Sequence, residues 1–324
     1  MASAAKEPDV SVILATYNRC DVLRGALESL LNQEGDGTTY EVIVVDNNST
    51  DETRPTIEAY GVGLRHDNLV YCFEEKQGVS YARNRGIAKA RAPLLAFTDD
   101  DIRPPSNWIS SIHEAFNRFP EADCIGGRVL PDEETNFPAW LTKNCWTPLA
   151  LVDLGDNSVE LDVQSGPGVV GANMAVRASV FRDVGLFQPN LQRVKDTIGS
   201  LEDHEFQLRL STAKRRIMYV PELVVYAHVL KERLTKSYHR RWYSGHGYFY
   251  AVMRDEEFES SRVRVFDVPA HLYRSTWSHV LDWLRYCLAR KGDLEFQQEL
   301  EIHFFWGFFR KRLADRQSLL RLQR

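Results

Sequence analysis

Three consecutive carboxylates, Asp99, Asp100 and Asp101, follow a short apolar run, Leu94-Leu95-Ala96-Phe97-Thr98. Adjacent acids repel one another, and folding gains nothing from placing them together. A divalent cation would neutralise them. Carboxylate oxygens suit hard ions such as Mg2+ or Mn2+, with phosphates commonly completing the shell. In extended chain, Asp99 and Asp101 face one way and Asp100 the other. The competing reading is a solvated acidic turn, or an N-cap for the next helix. Pro104-Pro105 bars the strand from continuing in either case.

The elements that must position these acids are legible around them. Val10–Thr16 and Tyr40–Asp46 read as strands whose apolar runs suit the interior of a parallel sheet. Leu69–Phe73 reads as a third strand and Leu94–Thr98 as the central one. Between them, Asp21 is placed to cap a helix through Leu31, with Leu23, Leu27, Leu30 and Leu31 on one face. Ser49 and Glu52 have capping-box spacing. Val79–Arg91 forms a helix despite Gly86. Strands alternating with helices imply right-handed crossovers, with ligands at the carboxyl ends of the strands. Asn18, Asp46 and Asp99–Asp101 all fall at such ends.

Further on, Ser106–Phe119 reads as a helix and Asp123–Leu130 as a strand. Residues 131–165 read as a long covering loop with Trp140 and Trp146, a length that is often functional. Trp108 reads as core, and the two loop tryptophans as stacking candidates or loop anchors. Gly166–Arg177 mixes glycine with strand, and a short helix over Ser179–Val184 ends at Gly185. Ser200 is placed to cap a helix running to about Lys214. Ile217–Val220 and Leu223–His228 are strand-like. Beyond His228 long helical stretches follow, carrying Phe304-Phe305-Trp306 and Phe308-Phe309.

Composition excludes several classes. The chain has 324 residues, 44% hydrophobic and 26% charged, an ordinary globular balance. A net charge of -5 argues against a nucleic-acid partner. Residues 310–324 run the other way, with Arg310, Lys311, Arg312, Arg316, Arg321 and Arg324 against Asp315. Such a basic end suits an anionic surface or ligand. Five scattered cysteines without a CxxC pair predict neither a disulfide framework nor a zinc site, and fit a reducing compartment. Met1–Asp9 is small and polar, unlike a secretory leader, and no apolar run approaches a membrane span. The turn after the first strand, Thr16-Tyr17-Asn18-Arg19-Cys20-Asp21, lacks the glycine fingerprint of a dinucleotide-binding fold. The same lack of a glycine-rich phosphate turn argues against a nucleotidyltransferase.

Taken together, several motifs resemble a family 2 glycosyltransferase of the inverting type, with the GT-A fold. These are Val10-Ser-Val-Ile-Leu-Ala-Thr-Tyr-Asn-Arg19, Val44-Val-Asp-Asn-Asn-Ser-Thr-Asp51, Ser80-x-Ala-Arg-Asn-x-Gly86 and the aspartate triplet. Gly171-Ala-Asn-Met174 and Glu202-Asp203 follow in family order. The likeness covers roughly residues 8–230. It implies an α/β fold with a mostly parallel central sheet flanked by helices. A GT-A domain is expected over 1–230, with a nucleotide-binding half at about 8–101 and an acceptor half at about 102–230. A helical C-terminal extension over 231–324 completes the expected organisation.

The resemblance also implies roles. Thr16, Tyr17 and Arg19 line the nucleoside pocket, Asp46 bonds the base, and Asp99 and Asp100 lie near the ribose and diphosphate. Asp101 holds Mn2+ or Mg2+, helped by His228. Asp203 is the general base, with Glu202 beside it. Arg83 is expected near the diphosphate, because its fork matches phosphate geometry. The donor is a nucleotide sugar, UDP-linked in the first instance, and the acceptor a hydroxyl on a glycan, a lipid-linked glycan or a small molecule. Plainer readings stand beside each role: Asp203 as a helix-start acid, Asp46 as a turn cap, His228 as a satisfied core residue. A rival from another class is a sugar-nucleotide-binding or scaffold protein without turnover, which would not require Asp203. The C-terminal aromatics and basic residues resemble an interfacial segment of a cytoplasmic enzyme peripheral to the membrane. The alternative is helix packing within the chain or across a homodimer.

Overall fold

The computed structural model describes residues 7–34, 37–63, 66–192, 198–254, 259 and 263–322. Residues 1–6 and Arg324 lie outside the described residues, as does the side chain of Arg321. The chain forms two compact units. The first comprises Met1–Thr135, Ala150–Asn190 and Glu202–Val229, and the second Asn136–Leu149, Leu191–Leu201 and Leu230–Arg324. The second unit thus joins the stretch from Leu230 onward to two segments drawn from earlier in the chain.

In the first unit, β1 (Val10–Thr16), β2 (Tyr40–Asp46), β3 (Leu69–Phe73) and β4 (Leu94–Asp99) lie in the order β3-β2-β1-β4, all parallel. Register aligns Thr16 with Asp46, and Ala15 with Asp99, so the polar strand ends share one rim. The sheet continues through β8 (Met174–Arg177), β6 (Cys124–Pro131) and β9 (Ile217–Ala227) to the two-residue β5 (Ile102–Arg103). Strand β8 runs antiparallel to both β4 and β6, while β6 and β9 are parallel. The short β7 (Val159–Glu160) pairs with β9. Residues 217–227 form one continuous strand instead of two, bending where the register shifts opposite Gly126 and Arg128. A bulge lets a strand change direction without breaking.

Helices α1 (Cys20–Leu31), α2 (Thr53–Glu58), α3 (Val79–Lys89), α4 (Trp108–Arg118), α5 (Val180–Val184) and α6 (Glu202–Thr212) complete this unit. Two expected caps are corrected. Asp21 sits inside the first turn of α1, and Asp51 Oδ2 accepts from Cys20 N at 3.1 Å instead. Asp51 also accepts from Thr53 N, so no Ser49–Glu52 box forms; Ser49 accepts from Asn18 N. One carboxylate thus serves two helix starts and ties the two loops of the rim together.

An aromatic cluster lies under that rim. Phe97 of β4 meets Phe187 at 5.4 Å, Phe187 meets Phe206 of α6 at 4.8 Å, and Phe206 stacks on Phe181 at 5.1 Å. All are buried, and edge-on or offset ring pairs each add roughly 0.5–1.5 kcal/mol beyond their area. Because Phe97 precedes Asp99 by two residues and Phe206 follows Asp203 by three, this packing fixes both acids.

The second unit is helical: α7 (Lys236–Met253), α8 (Ala270–Leu288) and α9 (Gly292–Leu322), with a small hairpin of β10 (Arg264–Val265) and β11 (Val268–Pro269). Phe304, Phe305 and Phe308 are buried with Ala251, Val268 and Leu272. Arg312 is fully buried, paired with Glu259 and, at 3.4 Å, with Asp267. Lys311 pairs with Asp315 at 2.7 Å. Phe304, Phe305 and Phe308 therefore build a core while Trp306 stays exposed, and part of the basic end is internally neutralised. Trp140 packs edge-on against His239 and Phe296, and Trp146 lies beside Phe137, so both loop tryptophans anchor their segment.

Candidate active site

The rim acids do not alternate. Strand β4 ends at Asp99, and Asp100 and Asp101 enter a turn. Alternation holds only in extended chain, so the expected pairing of Asp99 with Asp101 is corrected. Asp100 and Asp101 share one partner, Arg19: Nη1 pairs with Asp100 Oδ1 and Nη2 with Asp101 Oδ2 at 3.0 Å. Thr16 Oγ1 donates to Asp100 Oδ2 at 2.8 Å. Burial pushes the Asp100 carboxyl up to about 6, against the pull of Arg19. Burial also works against the charge of Arg19, but Asp100 and then Asp101 outweigh it and hold the guanidinium above its ordinary value.

Asp99 turns the other way, to Arg83. This arginine is buried on α3, and its fork is filled by acids. Nη1 donates to Asp203 Oδ1 at 2.5 Å and to Glu202 Oε1 at 3.4 Å, while Nη2 reaches Asp99 Oδ1 at 3.4 Å. Burial opposes its charge; Asp203, then Asp99 and Glu202, override it and raise its affinity for the proton. Three bonds of this guanidinium thus go to carboxylates. Each polar residue of the Ser80–Gly86 motif has a comparable task. Ser80 Oγ donates to Gln188 O, and Asn84 exchanges two bonds with the backbone of Phe187. A Cβ on Gly86 would lie 2.4 Å from Ile13, so α3 can approach β1 only without one.

Asp203 stands in the first turn of α6, where acids favour the helix dipole. Its Oδ2 also accepts from Gly171 N at 3.0 Å. A Cβ on Gly171 would sit 2.4 Å from that oxygen, which explains the glycine. Asp203 thus combines the helix-start reading with a fixed place beside Asp99, reached through one shared guanidinium.

Asp46 Oδ1 accepts from Ser49 N at 2.9 Å and Oδ2 from Tyr71 Oη at 3.1 Å. Burial first, then Asp46, pushes the Tyr71 hydroxyl up to about 12. The carboxylate therefore shapes the turn after β2. Tyr17 is half-buried beside Asn18, whose φ of 49° bends the chain at the rim. His228 follows β9, and its N–H donates to Asp101 O at 2.7 Å. Its Nδ1 lies 2.8 Å from Asp132 Oδ2. Burial works against the ionisation of Asp132, but bonds from Thr135 and His228 more than offset it and hold the acid below its ordinary value.

Asp132, Glu134 and His228 place ligand atoms within 4.8 Å of one another. Two carboxylates and an imidazole suit Mn2+ or Mg2+, and the backbone bond joins this group to Asp101. Asp132 and Glu134 escaped the sequence reading; their D-x-E spacing directly after β6, on the rim already holding the triplet, was the available signal. Trp108 is core, donating to Asn173 Oδ1 at 2.9 Å.

The model of the family described as "Glycosyl transferase family 2" matches residues 11–185, more than half of the chain. A relative from Haloferax volcanii, "Glucosyl-dolichyl phosphate glucuronosyltransferase", is 28% identical over 193 residues, 58% of this chain and 58% of that protein. The chain thus aligns with less than two thirds of that relative. One from Campylobacter jejuni, "GalNAc(5)-diNAcBac-PP-undecaprenol beta-1,3-glucosyltransferase", is 32% identical over 132 residues, 40% of this chain and 41% of that protein. Among solved structures, the mannosyltransferase PcManGT from Pyrobaculum calidifontis, bound to GDP-Man and Mn2+, superposes with a TM-score of 0.59 at 16% identity. That match covers 97% of this chain and 75% of PcManGT. S. aureus TarS 1-349 with UDP gives 0.53 at 18% identity, covering 90% of each chain. These likenesses show the GT-A fold. With that fold under a rim whose motifs stand in family order, and a family model spanning more than half of its length, the chain belongs to glycosyl transferase family 2.

Proposed function

We propose that this chain is a metal-dependent, inverting glycosyltransferase, moving a sugar from a nucleoside diphosphate to an acceptor hydroxyl by single displacement. The observation that carries the reading is Arg83, whose one guanidinium holds Asp99 of the rim triplet and Asp203 of α6 together. In this reading the acceptor oxygen forms its bond to the anomeric carbon while Asp203 takes the hydroxyl proton. The bond from that carbon to the donor phosphate breaks, and the nucleoside diphosphate leaves with the electron pair. Attack opposite the leaving group inverts the centre. Arg83, Glu202 and the Gly171 N–H are positioning groups that fix the rotamer of Asp203.

Thr16, Tyr17, Arg19 and Asp46 frame the nucleotide, with Asp99 and Asp100 beside it. Arg19 keeps the paired acids at the rim neutralised. Asp101 and His228 would hold Mn2+ or Mg2+, because Asp132 on Nδ1 leaves His228 Nε2 as the donor. When bound, the ion supplies positive charge beside the leaving diphosphate. PcManGT was solved with GDP-Man and Mn2+, and TarS with UDP, so both nucleotides are donors to test, UDP-sugars first. The names of the two relatives, one a dolichyl phosphate and one an undecaprenol diphosphate glycosyltransferase, support a lipid-linked acceptor. Such an acceptor is in keeping with the reading of a cytoplasmic enzyme peripheral to a membrane. No helix among the described residues is long and apolar enough to cross one.

The test is release of nucleoside diphosphate from UDP- and GDP-sugars in Mn2+, with lipid-linked and soluble acceptors. Asp203→Asn should lower transfer by roughly 10²–10⁴-fold, while donor binding persists. An unchanged rate would remove the base assignment. Donor binding with no release under any acceptor would favour a binding protein without turnover.

A further inference from the structure

The outer face of α8 is apolar and uncovered. Trp277, Leu281, Leu284 and Leu288 are 66%, 62%, 46% and 87% exposed. Their spacing keeps all four within about 60° of arc at 100° per residue. The opposite face of the same helix is satisfied: Leu272 is buried and His279 Nδ1 bonds Gln298 at 2.7 Å, while Tyr273, at the margin of the stripe, stacks on Phe309 at 4.9 Å. The exposed stripe is therefore not an incompletely packed core helix. It amounts to on the order of 500 Å² of apolar surface, judged from side chains of ~150–250 Å². That is as large as the biggest patch of a typical monomer, which is often functional.

One edge of the stripe is basic. Arg274 and Arg285 are exposed, fall about 60–80° round from Trp277, and make no ion pair among the described residues. Arg290 and Lys291 are exposed just past the helix end. The acid of this helix, Asp282, is half-buried and lies further round still.

This edge discriminates between occupants. A second copy paired on the stripe would add its own Arg274 and Arg285 to the same interface. The area is also below the ~800 Å² per partner of a stable interface. An anionic bilayer answers both features: leucines and a tryptophan enter the headgroup boundary, and the arginines meet lipid phosphates.

We propose that the outer face of α8 is a membrane-docking surface, lying in the plane of an anionic lipid interface with Trp277, Leu281, Leu284 and Leu288 inserted. It does not depend on the transferase reading, since it rests on exposure and charge in the helical unit alone. It differs from docking by the C-terminal phenylalanines, of which Phe304, Phe305 and Phe308 are buried.

The experiment is sedimentation of the full chain with vesicles of equal parts phosphatidylcholine and phosphatidylglycerol, against phosphatidylcholine alone. Binding should favour the anionic vesicles. Leu281→Glu with Leu288→Glu should abolish it, without altering the unfolding midpoint or the oligomeric state. Arg274→Gln should weaken it by about fivefold, the factor expected for one surface arginine. The proposal is overturned if the wild type binds neither vesicle, or if the leucine variant binds like the wild type. It is equally overturned if light scattering finds a dimer that the leucine variant dissociates, because the face then belongs to a second copy.

Discussion

Replacing Arg83 with alanine strips three carboxylates of their shared cation. The cost follows from how each is exposed. Glu202, 6% exposed, has little water screening and should lose about 2–3 kcal/mol with its Arg83 pair. Asp99 and Asp203, 34% and 24% exposed, are partly solvated and should contribute about 0.5–1 kcal/mol each. The total, about 3–5 kcal/mol, agrees with the loss on breaking a buried pair by removing one partner. The assay is urea unfolding of wild type and variant. Adding Glu202→Gln to Arg83→Ala should recover more than about 1 kcal/mol as coupling between neighbours. A difference below about 1 kcal/mol at neutral pH would refute Arg83 as the clamp.

Asp100 gives a pH signature: its carboxyl stands near 6 against an ordinary 3.8, so folding takes up a proton between these values. Stability then falls as pH rises through that window, and Asp100→Asn should gain relative to wild type over the same range. His239 has the opposite sign. Burial lowers it from 6.5 to about 4, so the fold loses stability as pH drops through that interval, and His239→Phe should remove the loss. Gly171→Ala would place a Cβ 2.4 Å from Asp203 Oδ2 and 2.6 Å from Arg83 Nη2. It should cost about 1–3 kcal/mol by overpacking and reduce transfer more than it reduces donor affinity. Asp132→Ala, which frees His228 Nδ1, should weaken metal affinity about 10–100-fold in a Mn2+ titration.

Much of this site was written in local sequence. Strands β1 to β4 were legible because each is a compact apolar run ending in polar residues, and their register then put Thr16, Asp46 and Asp99 on one rim. The positioning chemistry was less legible because it comes from distant partners. Arg83 lies on the same helix face as Ser80 and Gly86, both buried, and an arginine on a buried face demands acids. Which acids they are depends on residues 99, 202 and 203, far along the chain. The triplet misled through its own regularity: alternation fails where the strand ends. The C-terminal aromatics left both readings open by composition, since side-by-side rings serve a core as well as a surface, and the packing of α9 puts Phe304, Phe305 and Phe308 in a core.

The central claim is that the rim triplet and Asp203 enclose one cleft in which a divalent ion and a nucleoside diphosphate sit. Manganese anomalous scattering from crystals grown with Mn2+ and UDP tests it most directly. The account predicts a single strong peak within ligating distance of Asp101 and His228, with the diphosphate between that peak and Asp203. A peak elsewhere, or a diphosphate bound with no metal beside the triplet, would contradict it.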